Sequence, residues 1–339
     1  MLFRRLTLAA LLLCLVLIPL GAYVRLSHAG LGCPDWPGCY GHLGVPTAEH
    51  HVEAANAAYP DRPVEAHKGW KEMIHRYIAS ALGLVIISLL VLGWRGRSSG
   101  PGGGLPWKLP ALMLVWVLLQ GALGAFTVTW KVMPLIVTAH LMGGMVMFAL
   151  SWLLWLWGSE QGRPVLAAPA SFKSLAGMAL LLLAAQIALG GWTSTNYAAL
   201  ACPEFPMCAN GEIWPQQPDY AEAFRLWHPQ GQYQNYEFGI LDTPTRQTIH
   251  AVHRLGAVIV GAALIALGWL LAARGGSRRW KGLGISLIGM VALQIALGIS
   301  AVHFGLPLVV ATAHNAGAML LLMVLVSINF HAWRGARPL

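Results

Sequence analysis

The chain has 339 residues, of which 57% are hydrophobic and only 10% are charged. Soluble domains carry about a quarter charged residues, so this composition excludes an ordinary soluble protein. The formal net charge of +9 suggests nucleic-acid binding, but that interpretation depends on where the charges lie along the chain.

Eight segments are apolar over about 20 residues, the length that a helix needs to cross the hydrocarbon core. They run over 6–25, 73–94, 109–129, 133–157, 174–193, 247–272, 282–302 and 307–332. The sequence therefore predicts an all-α polytopic membrane protein with eight transmembrane helices. The first segment follows two arginines, as a signal peptide does, but it lacks a small-residue cleavage site. We predict that it is retained as a helix.

The basic residues are distributed unevenly between the two predicted sides of the membrane. With the amino terminus placed in the cytoplasm, the inner side holds thirteen basic residues and a single acid, Glu160. The basic residues are Arg4, Arg5, Arg95, Arg97, Lys108, Arg163, Lys173, Arg274, Arg278, Arg279, Lys281, Arg334 and Arg337. By the positive-inside rule, both termini are expected to be cytoplasmic. The charge then indicates topology, and no nucleic-acid partner is expected. No Arg- and Ser-rich transit peptide precedes the first segment, which favours a bacterial inner membrane.

Three stretches of the first half recur in the second half in the same order. The matching stretches are 20–39 with 189–208, 75–76 with 253–254, and 119–140 with 293–314. Such a repeat predicts two tandem, pseudo-symmetric four-helix bundles, 1–160 and 161–339, in the same orientation. A Ser- and Gly-rich run at 98–104 predicts a short inner linker. Two long outer loops are expected to cap the bundles.

Four histidines occupy equivalent positions in the two halves, each within a few turns of the predicted outer end of its helix. They are His75, His140, His253 and His314. An ionisable side chain is costly in hydrocarbon and marks a functional site, although hydrogen bonding between helices is a simpler alternative. Two imidazoles are too few for a tetrahedral zinc site. They suffice as axial ligands of haem, whose porphyrin supplies four more donors. The pattern predicts one haem-sized site in each half.

Charged residues beside these histidines distinguish the two halves. Arg76 and Arg254 directly follow His75 and His253, and we expect them to bind haem propionates; the alternative is that they anchor helix ends at the headgroups. Glu72 lies three residues before His75 on the same helical face, where the second half has His250. Glu72 could act as an acid or base or be an interfacial acid near a helix start. This asymmetry predicts different roles for the two halves, with the reaction in the half that contains Glu72 and a supporting role for the other half.

Four of the five cysteines form two pairs in the outer loops, each pair with five intervening residues. The pairs are Cys33 with Cys39 and Cys202 with Cys208. Paired cysteines on the oxidising side of a membrane predict disulfides, and the spacing disfavours a zinc site. A structural role and a redox-active role both remain open.

These residues together resemble the haem A synthase family. The resemblance is carried by GLGCPDWPGCYG at 30–41, EMIHR at 72–76, HAVHR at 250–254, and TAH at 138–140 and 312–314. It spans nearly the whole chain and implies eight helices in two halves.

The resemblance also implies an activity. A synthase of this kind oxidises a methyl group of haem O to a formyl group by successive hydroxylations, giving haem A for terminal oxidases. The resemblance implies that haem B is held by His253 and His314, and that haem O is taken at His75 and His140 with Glu72 as a catalytic acid. His250 leaves the choice of cofactor ligand open.

Several further expectations accompany this assignment. The cysteine-containing loops would face the periplasm, and the partners would include membrane lipid, an unidentified electron donor, haem O synthase and assembly proteins of terminal oxidases. The alternative class is a di-haem b-type electron carrier without haem-modifying activity. Such a carrier needs four histidines but not Glu72.

Overall fold

The computed structural model describes residues 1–97, 104–161, 166, 170–227 and 235–335. Within these residues the chain is all-helical, with ten α-helices and no strand. The helices are α1 (Leu2–Leu26), α2 (Glu49–Ala58), α3 (Ala66–Arg95), α4 (Lys108–Thr129), α5 (Pro134–Ser159), α6 (Ala170–Thr195), α7 (Tyr220–Ala223), α8 (Thr243–Arg274), α9 (Arg278–His303) and α10 (Leu308–Gly335).

Eight of the helices in the described part of the chain are long and apolar enough to cross a membrane. They are all the helices except α2 and α7, and they confirm the predicted all-α membrane fold. Arg163, Arg337 and residues 98–103 of the predicted linker lie outside the described residues.

The spanning helices α3 and α8 extend beyond the apolar segments from which they were predicted. Helix α3 begins at Ala66, seven residues before the predicted start, and α8 begins at Thr243, four residues before it. Hydropathy detects only the part of a helix that lies in hydrocarbon, whereas capping determines where the helix begins. In α8 the Asp242 carboxylate accepts the Thr245 main-chain N–H at 3.0 Å.

The chain divides into two compact units. The first contains Met1–Met147 and Arg225–Ile240, and the second contains Phe148–Phe224 and Leu241–Leu339. In the second unit, α6 packs on α8, α8 on α9, α9 on α10, and α10 on α6. These four helices therefore form a closed ring, the arrangement in which bundles build sites from facing side chains.

In the first unit, α3 packs on both α1 and α4. The Trp116 indole N–H of α4 donates to the Gly143 carbonyl of α5 at 2.8 Å, which joins these two helices. Helix α5 also approaches α1, because a Cβ on Gly144 would lie 3.8 Å from Ile18.

A segment of the second long loop belongs to the first unit. Tyr236 is buried with Leu31, Val128 and Met133, and its main-chain N–H donates to the Lys131 carbonyl at 3.1 Å. Arg62 and Glu237 form an ion pair at 2.7 Å. Hydrophobic burial and an ion pair thus hold the segment in the first unit. The sequence repeat did not indicate that a segment of the second long loop would lie there.

Candidate functional site

The four repeated histidines come together as two pairs. In the first unit, His75 of α3 and His140 of α5 lie close enough to interact electrostatically. In the second unit, the same is true of His253 of α8 and His314 of α10. All four side chains are partly buried. The structure therefore brings together, within each unit, the histidines that the sequence singled out.

Each imidazole lies against a glycine of a neighbouring helix. A Cβ built on Gly21 would lie 3.0 Å from Cε1 of His75, and one on Gly124 would lie 3.4 Å from Cε1 of His140. The second unit repeats the contact. There, a Cβ on Gly190 would lie 3.2 Å from His253, and one on Gly298 would lie 3.0 Å from His314. Since these separations are at or below ordinary van der Waals contact, the missing side chain leaves a notch that each ring occupies.

Several ring nitrogens have no hydrogen-bond partner. The Nδ1 atoms of His75, His140 and His314 are buried and unpaired. His253 differs, because its Nδ1 lies 3.1 Å from the Gln186 amide nitrogen. A buried polar atom without a partner is costly and rare in native proteins. These atoms therefore indicate a ligand that the histidines would contact.

This donor set fits haem better than a bare metal ion. Among the described residues, no group of three or more His, Cys, Asp and Glu side chains is arranged to hold a metal. Two nitrogens therefore need a ligand that brings its own donors, and a porphyrin supplies four around its iron. Burial of the ring nitrogens among apolar helices also suits a flat, largely apolar macrocycle.

The two predicted disulfides are present, between Cys33 and Cys39 and between Cys202 and Cys208. They close residues 33–39 and 202–208, and a main-chain hydrogen bond from the second cysteine of each pair extends the turn to His42 and Glu212. We call residues 33–42 the first disulfide loop and residues 202–212 the second disulfide loop. In the first loop the Asp35 carboxylate accepts the main-chain N–H groups of residues 40 and 41 at 2.6 and 2.7 Å. Glu204 does the same for residues 210 and 211 at 3.2 Å. The repeat thus extends to loop conformation.

Glu72 and His250 occupy equivalent positions beneath the two loops. The Glu72 carboxylate accepts the Cys33 main-chain N–H at 3.0 Å, and its other oxygen pairs with Arg76 at 2.5 Å. Nδ1 of His250 accepts the Cys202 main-chain N–H at 3.2 Å. Both side chains are about 95% buried, with 5% of Glu72 and 4% of His250 exposed. Each therefore ties a disulfide loop to a histidine-bearing helix.

Arg76 and Arg254 direct their guanidinium groups at the same two loops. Arg76 donates to the carbonyls of Asp35 and Pro37 at 3.1 and 3.2 Å, and also to that of Gly38. Arg254 donates to three carbonyls, those of Cys202 at 2.6 Å, Glu204 at 2.9 Å and Met207 at 2.8 Å. Loop anchoring is a role that the sequence reasoning missed, because the carbonyls lie roughly 40 to 50 residues away along the chain.

Sequence reasoning also missed the glycine notches. The signal was present, because Gly21 and Gly190, and likewise Gly124 and Gly298, occupy equivalent positions of the repeat. What the residues contact became evident only when the helices were packed together.

These features define a polytopic membrane protein that presents paired, partly buried imidazoles within each of two units. Residues 4–326 match the COX15-CtaA family of cytochrome oxidase assembly proteins, and the chain belongs to this family. The match confirms the resemblance noted from the motifs.

Named relatives of this chain agree. The chain is 45% identical over 322 residues to Heme A synthase of Shewanella oneidensis, covering 94% of this chain and 93% of the relative. It is 28% identical to Heme A synthase of Granulibacter bethesdensis, covering 95% and 84% of the two chains. The identity to Heme A synthase of Halalkalibacterium halodurans is also 28%, covering 87% and 85%.

Proposed function

We propose that this protein is a haem A synthase, which oxidises a methyl group of haem O to a formyl group by successive hydroxylations with loss of water. One observation carries the proposal: each unit pairs two partly buried imidazoles in a chain that is 45% identical, over 94% of its length, to a protein named Heme A synthase.

The two halves of the repeat, 1–160 and 161–339, have different roles in this proposal. His253 and His314 hold haem B, which supplies redox chemistry when bound. His75 and His140 hold the substrate haem O. The difference between Glu72 and His250 supports this division, because a carboxylate beneath the first disulfide loop is replaced by an imidazole beneath the second. A pair of identical electron-carrying sites needs no such difference.

Glu72 is the proposed catalytic acid of the first half. It lies one helical turn before His75, and Arg76 and the Cys33 N–H hold its carboxylate in place. A buried, oriented carboxylate is suited to moving a proton at the oxidised methyl group. Arg76 and Arg254 lie one residue beyond His75 and His253, and we propose that they also attract the haem propionates.

The proposed setting is a bacterial inner membrane with both termini in the cytoplasm. The disulfide loops then face the periplasm, where disulfides persist. The proposed partners are haem O synthase, an electron donor and the assembly proteins of terminal oxidases, within a lipid bilayer.

Pigment extraction tests the proposed activity. Cells that express the chain together with a source of haem O are expected to accumulate formyl haem, detected by its pyridine haemochrome spectrum and mass. His75→Ala and His140→Ala should abolish the product while the purified protein keeps haem B. His253→Ala and His314→Ala should remove that haem.

Unchanged pigments in cells whose purified protein carries two haems would refute the synthase. That result would favour the di-haem electron carrier. Colourless protein from the same cells would refute both.

A further inference from the structure

Three of the four histidines lie on helices that pack against both a glutamine and a glycine of the neighbouring helix. Gln186 of α6 lies beside His253, and its amide nitrogen donates to the His253 main-chain carbonyl at 3.0 Å and lies 3.1 Å from Nδ1. Gln294 of α9 repeats this beside His314, where the amide donates to the main-chain carbonyl at 2.9 Å and lies 3.4 Å from Nε2. Each glutamine thus holds both the backbone and the ring of a histidine.

The same contact includes a second glycine, this one on the histidine helix. A Cβ on Gly256 would collide with the Gln186 amide, and a Cβ on Gly317 would collide with that of Gln294. Each of the two helices therefore inserts a side chain into a notch on the other, and we call this reciprocal contact the exchange. The ring enters a notch on the glutamine helix, and the amide enters a notch on the histidine helix. The pattern is Gln with Gly four residues later on one helix, and His with Gly three residues later on the other.

His140 has this arrangement as well. The Gln120 side chain lies where a Cβ on Gly143 would be. Gly124, four residues after Gln120, receives the ring. The exchange therefore occurs in both units.

His75 lacks the amide half of this exchange. The repeat places Leu17 where the second half has Gln186, and Ile78 where it has Gly256. Both residues of the contact therefore differ from those in the second half. Leucine supplies no amide, and the isoleucine side chain occupies the notch that would receive one. Gly21 remains, so the ring of His75 keeps its own notch.

The glutamine oxygens indicate what the amides do when a ligand binds. Oε1 of both Gln186 and Gln294 is buried without a hydrogen-bond partner. A metal-bound imidazole carries its proton on the nitrogen that faces away from the metal, and that proton needs an acceptor. A half-turn of the amide exchanges its nitrogen and oxygen, which would present Oε1 to the ring in place of the hydrogen bond to the histidine main-chain carbonyl.

We propose that Gln120, Gln186 and Gln294 are positioning residues that orient His140, His253 and His314 as haem ligands, and that Leu17 and Ile78 leave His75 without this support. The inference rests on the proposed function. On this proposal, haem dissociates most readily from His75, as a substrate site requires. Both histidines of the second unit are held in position by glutamines and retain their haem.

The test measures how fast haem leaves each half. Haem transfer from purified protein to excess apomyoglobin is followed optically, in a His75→Ala/His140→Ala background for the second half and a His253→Ala/His314→Ala background for the first. Gln186→Met and Gln294→Met keep the side-chain length and remove the amide. We expect them to speed haem loss by about 10- to 100-fold, the usual effect of losing a residue that orients a metal ligand, and to shift the low-spin EPR signal.

Leu17→Met is the matched control at the repeat-equivalent position. It should leave haem loss from the first half unchanged, because no amide is removed there. The reverse change, Leu17→Gln with Ile78→Gly, should slow haem loss from the first half.

Haem loss that is unchanged in Gln186→Met and Gln294→Met would overturn the inference, even if the reverse variant does not fold. If neither background binds haem, the proposed function itself fails. Haem that binds normally but is insensitive to the glutamines refutes only the positioning role.

Discussion

The Glu72 carboxylate and the His250 imidazole make equivalent hydrogen bonds although they are different chemical groups. Each accepts the main-chain N–H of the first cysteine in its disulfide loop, at 3.0 and 3.2 Å. The contact itself is therefore structural, and an imidazole serves it as well as a carboxylate does. What Glu72 has and His250 lacks is a negative charge paired with the following arginine. The proposed catalytic role must depend on the carboxyl group itself, which can carry a proton and has no counterpart at His250.

Glu72→Gln separates the contact from the charge. The amide oxygen still accepts the Cys33 N–H, so the first disulfide loop should keep its place, whereas the pair with Arg76 is lost. We expect formyl haem production to stop while the haem B spectrum is unchanged. His250→Gln is the matched variant in the second half and should leave production intact. If Glu72→Gln makes haem A at the normal rate, the carboxylate has only a structural role.

Glu72→Ala should also destabilise the protein. It leaves Arg76 and the Cys33 N–H without their partner, and removing one member of a buried ion pair costs about 3 to 5 kcal/mol. Thermal unfolding in detergent measures the loss. A melting temperature equal to that of the unchanged protein would contradict this expectation.

Arg254→Lys tests whether this residue acts by its charge or by its shape. Lysine keeps the positive charge but cannot reach the carbonyls of Cys202, Glu204 and Met207 together, because it lacks the planar fork of donors. We expect faster proteolysis of the second disulfide loop and a loss of about 1.5 to 3 kcal/mol for each hydrogen bond from a charged group that is not replaced. The amount of haem retained by the purified variant measures the effect of the positive charge separately, because Arg254→Lys keeps that charge. A loop that resists protease as in the unchanged protein would disprove the anchoring role.

The two disulfides are tested by Cys→Ser pairs. Each bond closes a loop with a sequence separation of 6, and a loop this short contributes about 2 kcal/mol through the entropy of the unfolded chain. Cys33→Ser/Cys39→Ser and Cys202→Ser/Cys208→Ser are expected to lower the unfolding free energy by similar amounts and to retain activity. Loss of haem A production in a folded, haem-loaded variant would instead support redox-active cysteines.

Asp242 makes the stability of the α8 amino terminus depend on pH. Hydrogen bonds from the side chain and main chain of Thr245 hold the pKa of Asp242 below its ordinary value of 3.8. A folded-state pKa below the unfolded one stabilises the protein above the unfolded pKa, and the contribution is lost as pH falls through the folded-state pKa. Asp242→Ala should therefore cost about 1 kcal/mol at neutral pH and less in acid.

Asp242→Asn is the control for this effect, because its side-chain oxygen also caps a helix without titrating. Thermal unfolding of the three proteins across the acid range supplies the comparison. An equal difference between Asp242→Ala and the parent at every pH would show that the carboxylate charge does not contribute.

The sequence alone determined the all-α class, the eight spans, the disulfide pairs and the four histidines. Membrane insertion is decided by the apolar length of each segment, which is a local property of the chain. The disulfides followed from pairs of cysteines close in sequence, and the histidines from ionisable groups in hydrocarbon at positions that the repeat duplicates.

Only the tertiary structure decided what these residues contact. Arg254 reaches carbonyls roughly 50 residues away, Tyr236 packs into the first unit, and Gln186 meets His253 across two helices. Such contacts depend on how the helices are rotated and offset against one another, and hydropathy does not record rotation. The physical reason is that packing is settled by the fit of side chains from distant parts of the chain, whereas the pattern along one helix shows only that the helix is apolar.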